Sequence, residues 1–314
     1  MTDDPPTRRP PLRSPSAARK PRFRADLLGI GFVLVAVAVA GWALRDLVPD
    51  IGDALATIGW WRVIVSCALV VAGLLATAEV WRHCLAALGE SVSPTAARQI
   101  FFPAQAGKYL PGSVWPFLAQ ARFARRHGVR PGLALLAGTV FLVVHLVTSV
   151  PASAVLLFSQ PTLAGRFGWT GLAALLGLVL LHPRVLNALV QRLAKRSGVA
   201  PPVLGWAQVA RPLAWMLPAW ICYGVAGYLL AAPLGDGGPL LLVICTGAFA
   251  LGWLVGLLVV IAPAGVGARE AALILVLTPA VGVAGATTVA LLLRVVHTVA
   301  DVGLGVVFGV RRRA

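Results

Sequence analysis

Pro263-Ala-Gly-Val-Gly-Ala-Arg-Glu-Ala271 sets a glycine-rich break and two charges, Arg269 and Glu270, between two apolar runs long enough for membrane. Helix breaks and charges are each costly at membrane depth, so their coincidence points to a site rather than an anchor. Gly265 and Gly267 permit close approach of backbone to a ligand. A short helix starting near Arg269 directs its free N–H groups and positive dipole end the same way. Arg269 adds a guanidinium able to grip phosphate through two parallel hydrogen bonds. The chemistry is recognition of an anion, for which a phospholipid or polyprenyl-phosphate head group is suited. Glu270 is then either the partner that keeps Arg269 paired or a carboxylate at the helix start.

A second segment is broken in the same manner. Gln105-Ala-Gly-Lys108-Tyr109-Leu-Pro111-Gly112-Ser-Val-Trp115-Pro116 again combines glycine, proline and a cation, and a long apolar run follows it. Paired interruptions of this kind point to a binding site near the membrane midplane, because unwound backbone frees amides for a ligand. Lys108 supplies a point charge, and Gly112 lets backbone approach. Tyr109 and Trp115 suit a membrane interface as well as a ligand. The competing reading makes both breaks packing devices, with Arg269-Glu270 an interfacial pair and Lys108 reaching out to the cytoplasmic face.

Arg294, His297 and Asp301 are spaced i, i+3 and i+7, which puts them on one stripe of the last apolar run. An arginine and a carboxylate at that depth should face the bundle and pair, with Arg294 lining the cavity. His297 offers a proton relay with Asp301 or, more blandly, static charge compensation. His145, alone in an apolar run, reads as a satisfied core histidine, and Glu79, Arg82 and His83 as a mutually neutralising cluster. Gly252-xxx-Gly256 and Gly305-xxx-Gly309 are spaced for close helix packing. Cys67, Cys84, Cys222 and Cys245 are scattered singly, without metal-ligand spacing, and read as buried thiols. No nucleotide loop, nucleophile elbow or zinc-protease motif is present, so no cofactor, metal or catalytic residue is expected.

The elements that must position these residues are membrane helices. Of 314 residues 59% are hydrophobic and only 12% charged, with a mean hydropathy of +0.86. That composition defines an all-α polytopic membrane bundle. The net charge of +16 gathers at the ends of apolar segments, where it sets topology rather than binding nucleic acid. Residues 1–25, rich in Pro, Ser and Arg, read as a disordered basic tail. Apolar residues 27–44 read as an uncleaved first span rather than a signal peptide, because the basic region before them is long. Further spans are expected at 63–81, 132–158, 169–182, 212–233, 239–262 and 281–309, within a transmembrane domain covering 26–310.

Basic loops put both termini, including Arg311-Arg312-Arg313 within 311–314, on the cytoplasmic side of the plasma membrane, and the 45–61 and Asp236 loops outside. Because basic residues flank 100–121 on both sides, it is expected to be a re-entrant hairpin open to the cytoplasm. Seven spans from a cytoplasmic start would strand the C-terminus outside. Parity is restored if 263–279 crosses as an extended stretch followed by a short helix from Arg269 to Leu277, giving about eight crossings. The alternative makes 263–279 a second hairpin. Residues 184–196 carry Leu186, Leu189, Val190 and Leu193 on one face and Arg184, Gln191, Arg192 and Lys195 opposite. They read equally as an interfacial helix on anionic lipid and as a loop helix packed on the bundle.

Together, Gly107-Lys108-Tyr109-Leu110-Pro111-Gly112-Ser113-Val114-Trp115 and Pro263–Ala271, supported by Arg294, resemble the lysylphosphatidylglycerol synthase transmembrane-region family, which includes the flippase domain of the multiple peptide resistance factor. The resemblance covers nearly all of 27–310. Pro-Ala-Gly-Val-Gly-Ala is less glycine-rich than the family's usual form, but the break is intact. The resemblance implies a plasma-membrane protein with two broken segments around a lipid-sized cavity, moving or presenting lipid head groups between leaflets. Full-length synthases append a soluble domain that transfers lysine from charged tRNA. The sequence shows none, so a non-enzymatic lipid translocator is expected, with membrane lipids as partners. Two alternatives remain: the membrane component of a lipid-modifying system working with a separate soluble transferase, and a proton-coupled small-solute transporter.

Overall fold

In the computed structural model the described residues are 48–109, 114–159, 179, 182–197, 200–259 and 263–310. The tail at 1–25, the span at 27–44, most of that at 169–182, Pro111, Gly112 and the terminal arginines lie outside them. The described chain is an all-α bundle: α1 (Val48–Ile58), α2 (Trp60–Ala87), α3 (Pro94–Gln105), α4 (Trp115–Ala124), α5 (Pro131–Ser159), α6 (Pro183–Ser197), α7 (Trp206–Ala231), α8 (Pro239–Leu258) and α9 (Ala268–Val310). Five of these, α2, α5, α7, α8 and α9, are long and apolar enough to cross a membrane. Without water in a bilayer core, each backbone amide must be paired within its own helix, which is why apolar composition and helix arrive together.

Small residues let these helices approach. A Cβ on Gly73 of α2 would fall 2.5 Å from the ring of Tyr223 on α7, and one on Gly247 of α8 would fall 2.5 Å from Leu156 of α5. Polar groups close the same crossings: Ser66 Oγ donates to the Ala226 carbonyl at 3.2 Å, and Thr77 Oγ1 lies 3.0 Å from the Tyr223 hydroxyl. Such contacts take the place of the hydrophobic drive that lipid cannot supply between helices.

The first broken segment is longer than the sequence implies. Ser93 caps α3, accepting from the Ala96 amide at 3.2 Å, with Pro94 in the first turn. At 1.5 Å per residue α3 and α4 are about 18 and 15 Å long, too short to cross. They pack against each other as a hairpin, with a 3₁₀ turn at Ala106–Tyr109, and a Cβ on Gly107 would fall 2.8 Å from the backbone of Trp115 and Pro116.

The second broken segment feeds a longer helix than the expected Arg269–Leu277. α9 runs on to Gly282, whose φ of 72° and ψ of 168° split it into two arms. The first arm runs antiparallel to α8, since Gly252 faces the Arg269 carbonyl while Gly235, at the opposite end of α8, faces the Ala280 carbonyl. The second arm returns alongside, and its Gly305 and Gly309 meet Phe102 and Pro103 of α3. About 14 residues of helix give the first arm roughly 21 Å, and 263–267 leads into it as a 3₁₀ turn and a further turn in which Ala264, Gly265 and Gly267 have positive φ.

The helix expected at 184–196 is α6, and it packs on the bundle. Leu186, Val190 and Ala194 are buried, and Asn187 exchanges two hydrogen bonds of 2.7 Å with the backbone of Leu204. Gln191, expected on the polar face opposite the leucines, donates to the Pro201 carbonyl at 3.2 Å.

Candidate functional site

Both breaks open onto one cavity of about 250 Å³. Its wall includes Lys108, Tyr109, Gly265, Arg269, Arg294, His297 and Asp301, joined by Gln120, His145, Tyr223, Phe249 and Trp253. The second arm of α9 ties it together. Two turns apart on one face, Asp301 meets the first break and Arg294 the second.

Lys108 Nζ makes an ion pair with Asp301 Oδ2, which also accepts from the Tyr109 hydroxyl at 3.3 Å. Lys108 therefore turns inward, not out to the cytoplasmic face. Arg294 Nη1 donates to the Ala264 carbonyl at 3.0 Å and to Glu270 Oε1 at 3.3 Å. Ala264 holds a φ of 52°, uncommon for a residue with a Cβ, so Arg294 fastens the break where its backbone is most strained. Arg294 and Asp301 share the expected stripe but do not pair with each other. Each is claimed by a different break.

Glu270 belongs to Arg294 and to the helix start, not to Arg269. Its Oε2 accepts from the Gly267 amide at 2.7 Å, the carboxylate half of a capping box at the first turn of α9. This leaves Arg269 without a carboxylate among the described residues. Its guanidinium stands 4.7 Å over the Phe249 ring, and its Nη2 is buried without a hydrogen-bond partner. A cation over an aromatic face is stabilised by about 0.5–2 kcal/mol, well short of what a desolvated guanidinium forgoes.

The glycines have different duties from those expected. A Cβ on Gly265 would fall 2.7 Å from the Gly256 Cα, so Gly265 seats the break against α8 as well as lining the cavity. Gly252 and Gly256, read as a weak packing motif, are the floor on which Arg269 rests. Gly267 is exposed, with a φ of 85° and open space around it, and it lies off the cavity wall. Trp115 is 45% exposed and lies off the cavity wall, as does Glu270. Pro263 opens the 3₁₀ turn that carries the break.

Several wall residues escaped the sequence reading. His145 is not a satisfied core histidine: both ring nitrogens are buried and unpartnered, and the ring stacks on Trp253 at 3.8 Å and 10°. Phe249 stacks with His297 at 5.0 Å and with Tyr223 at 4.8 Å, beneath Arg269. Gln120, an amide inside a short apolar helix, was the available signal for its side of the cavity. Phe249 had none, since an aromatic in an apolar run is unremarkable until its neighbour is known. Among the described residues no cluster of His, Cys, Asp or Glu is placed to hold a metal.

A family model described as the lysylphosphatidylglycerol synthase TM region matches residues 27–305. The chain belongs to that family. A search of curated proteins found no match. As a member of the lysylphosphatidylglycerol synthase TM-region family, it is a multi-pass membrane protein of lipid-related kind, and the two motifs that carry the resemblance are the two breaks that meet at the cavity.

Proposed function

We propose that this chain binds the anionic head group of a membrane lipid in the cavity between its two breaks and passes it between leaflets, without catalysing a reaction. The observation that carries this reading is Arg269. Lys108 and Arg294 have carboxylate partners and Arg269 does not, so the cavity holds a surplus positive charge with an open donor. A buried cation is costly unless paired, and a phosphate supplies the missing partner through the bidentate geometry arginine favours.

Size supports a head group rather than a whole lipid. A cavity of about 250 Å³ is on the scale of a head group, with acyl chains left in the bilayer. Break-and-hairpin architecture suits such a task, because the charged wall is built where two helices are already interrupted. Charge on the loops favours a plasma-membrane location with both termini cytoplasmic, and 263–279 as a crossing. Antiparallel placement of α8 and the first arm of α9 supports the crossing.

Native mass spectrometry of protein extracted in mild detergent tests binding. The expected result is enrichment of an anionic lipid by the wild type and its loss in Arg269→Gln. Equal lipid content in both proteins contradicts the assignment.

A further inference from the structure

The element order of the bundle repeats. A long helix, a second helix, a break, a short helix and a long helix follow one another as α2, α3, α4 and α5, and again as α7, α8 and the two arms of α9. The two copies pack by exchanging partners: α2 lies on α7, α3 on the second arm of α9, and α8 on α5. Each of these pairs runs antiparallel. Ser66, Thr77 and His83 of α2 meet Ala226, Tyr223 and Trp215 of α7 in reverse order. Phe102 and Lys108 meet Phe308 and Asp301 in the same manner, and His145 and Leu156 meet Trp253 and Gly247. The second half is therefore an inverted copy of the first, the arrangement in which a site between two copies is reached from opposite faces.

Both breaks end on the second arm of α9, each through one ion pair. Lys108, in the turn between α3 and α4, holds Asp301, and Glu270, at the start of the first arm, holds Arg294 at 3.3 Å. Beside these pairs the facing surfaces are glycines, over which a helix can slide. Gly305 and Gly309 face α3, and Gly252 and Gly256 of α8 lie under the first arm. The two arms join at Gly282, whose φ of 72° and open surroundings suit a position that absorbs a hinge rotation. In the orientation proposed above, α3 and α4 have their outer ends on the cytoplasmic side, whereas Gly235 and Ala280, where α8 begins and the first arm ends, lie on the opposite side.

We propose that the two broken segments are separate gates on the one cavity, latched by different ion pairs: release of Lys108 from Asp301 opens it to the cytoplasm, and release of Glu270 from Arg294 opens it to the outside. This rests on the reading of the cavity as a place of transit. Thr298 lines the cavity between the latches, one turn from each, and its hydroxyl donates to the Arg294 carbonyl at 2.9 Å. The test places Thr298→Cys in the full chain without the four native cysteines and follows its labelling by 2-sulfonatoethyl methanethiosulfonate, a small impermeant anion. The reagent is added to intact cells for the outer face and to inside-out vesicles for the inner face. Lys108→Met with Asp301→Asn removes the first latch without stranding a charge, and should raise the labelling rate about tenfold from the cytoplasmic face alone, the effect of losing one charged contact. Glu270→Gln, which keeps an acceptor for the Gly267 amide, should raise it as much from the outer face alone. Lys108→Asp with Asp301→Lys rebuilds the first latch and should return labelling to the starting rate; size-exclusion profiles verify that each variant folds. A rise on the same face for both latches, or no rise for either, overturns the gates. If Arg269→Gln still loses anionic lipid in that case, the anion site stands without them. If the gates respond as expected and no lipid depends on Arg269, the gates stand and the lipid reading falls.

Discussion

Charge partners at single residues separate the cations that hold the fold from Arg269, the one proposed to hold a ligand. Arg294 is bonded to Ala264 and Glu270, whereas Arg269 lies half-buried over Phe249 with its Nη2 buried and unpartnered. Opposite stability effects follow from substituting each by methionine. Arg294→Met removes two hydrogen bonds from a charged donor and leaves Glu270 short of a partner, so the thermal midpoint in detergent should fall, by an amount equivalent to about 2–4 kcal/mol. Arg269→Met removes a half-buried charge that has no carboxylate partner among the described residues and should leave the midpoint unchanged or raised. A fall as large as that of Arg294→Met would show Arg269 to be structural. Residue types made the cations visible in the sequence, because charge in an apolar run is rare. Their pairing was not visible: Glu270 follows Arg269 in sequence, yet it turns toward Arg294 on the neighbouring arm, a matter of packing that adjacency cannot express.

Elements carry the next level of the account, because each break is shaped by the helix it meets. Gly265 pays twice for a side chain, through its φ of 68° and through contact with Gly256, whereas Gly267 has a φ of 85° and free space. Gly267→Ala should therefore cost only left-handed strain, about 1–2 kcal/mol, and Gly265→Ala distinctly more, read as the loss in thermal midpoint or in monodisperse yield. Equal losses would contradict the seating of the break on α8. The hairpin and the second arm are joined by Lys108 and Asp301, so exchanging the two charges in one double variant should recover stability that Lys108→Asp alone loses. Glycine, proline and charge kept 100–121 from reading as a span, and basic residues on both flanks made it a hairpin. They did not disclose that it begins at Pro94, because Ser93 and Pro94 are helix-start residues inside a stretch that otherwise reads as loop.

At the scale of the whole molecule the spans at 63–81, 132–158, 212–233, 239–262 and 281–309 all correspond to helices, since apolar length is a strong signal. What apolar length could not supply was the split at Gly282 and the return of the first arm to the level of Gly235. Side-specific labelling checks the resulting topology. In a background without the four native cysteines, Asp236→Cys and Val283→Cys should react with an impermeant maleimide added to intact cells, and Arg126→Cys only after permeabilisation. Protection of Val283→Cys beside reactive Asp236→Cys would make 263–281 re-entrant.

In the proposed function the cavity moves an anionic head group and Arg269 holds it. Proteoliposomes reconstituted with equal amounts of wild-type or Arg269→Ala protein, containing a trace of labelled phosphatidylglycerol, measure this as the rate at which outer-leaflet label becomes inaccessible to an added quencher. Exchange is expected with the wild type and a rate close to that of protein-free vesicles with Arg269→Ala, while both proteins remain folded by size exclusion. Exchange at the same rate in both would contradict it.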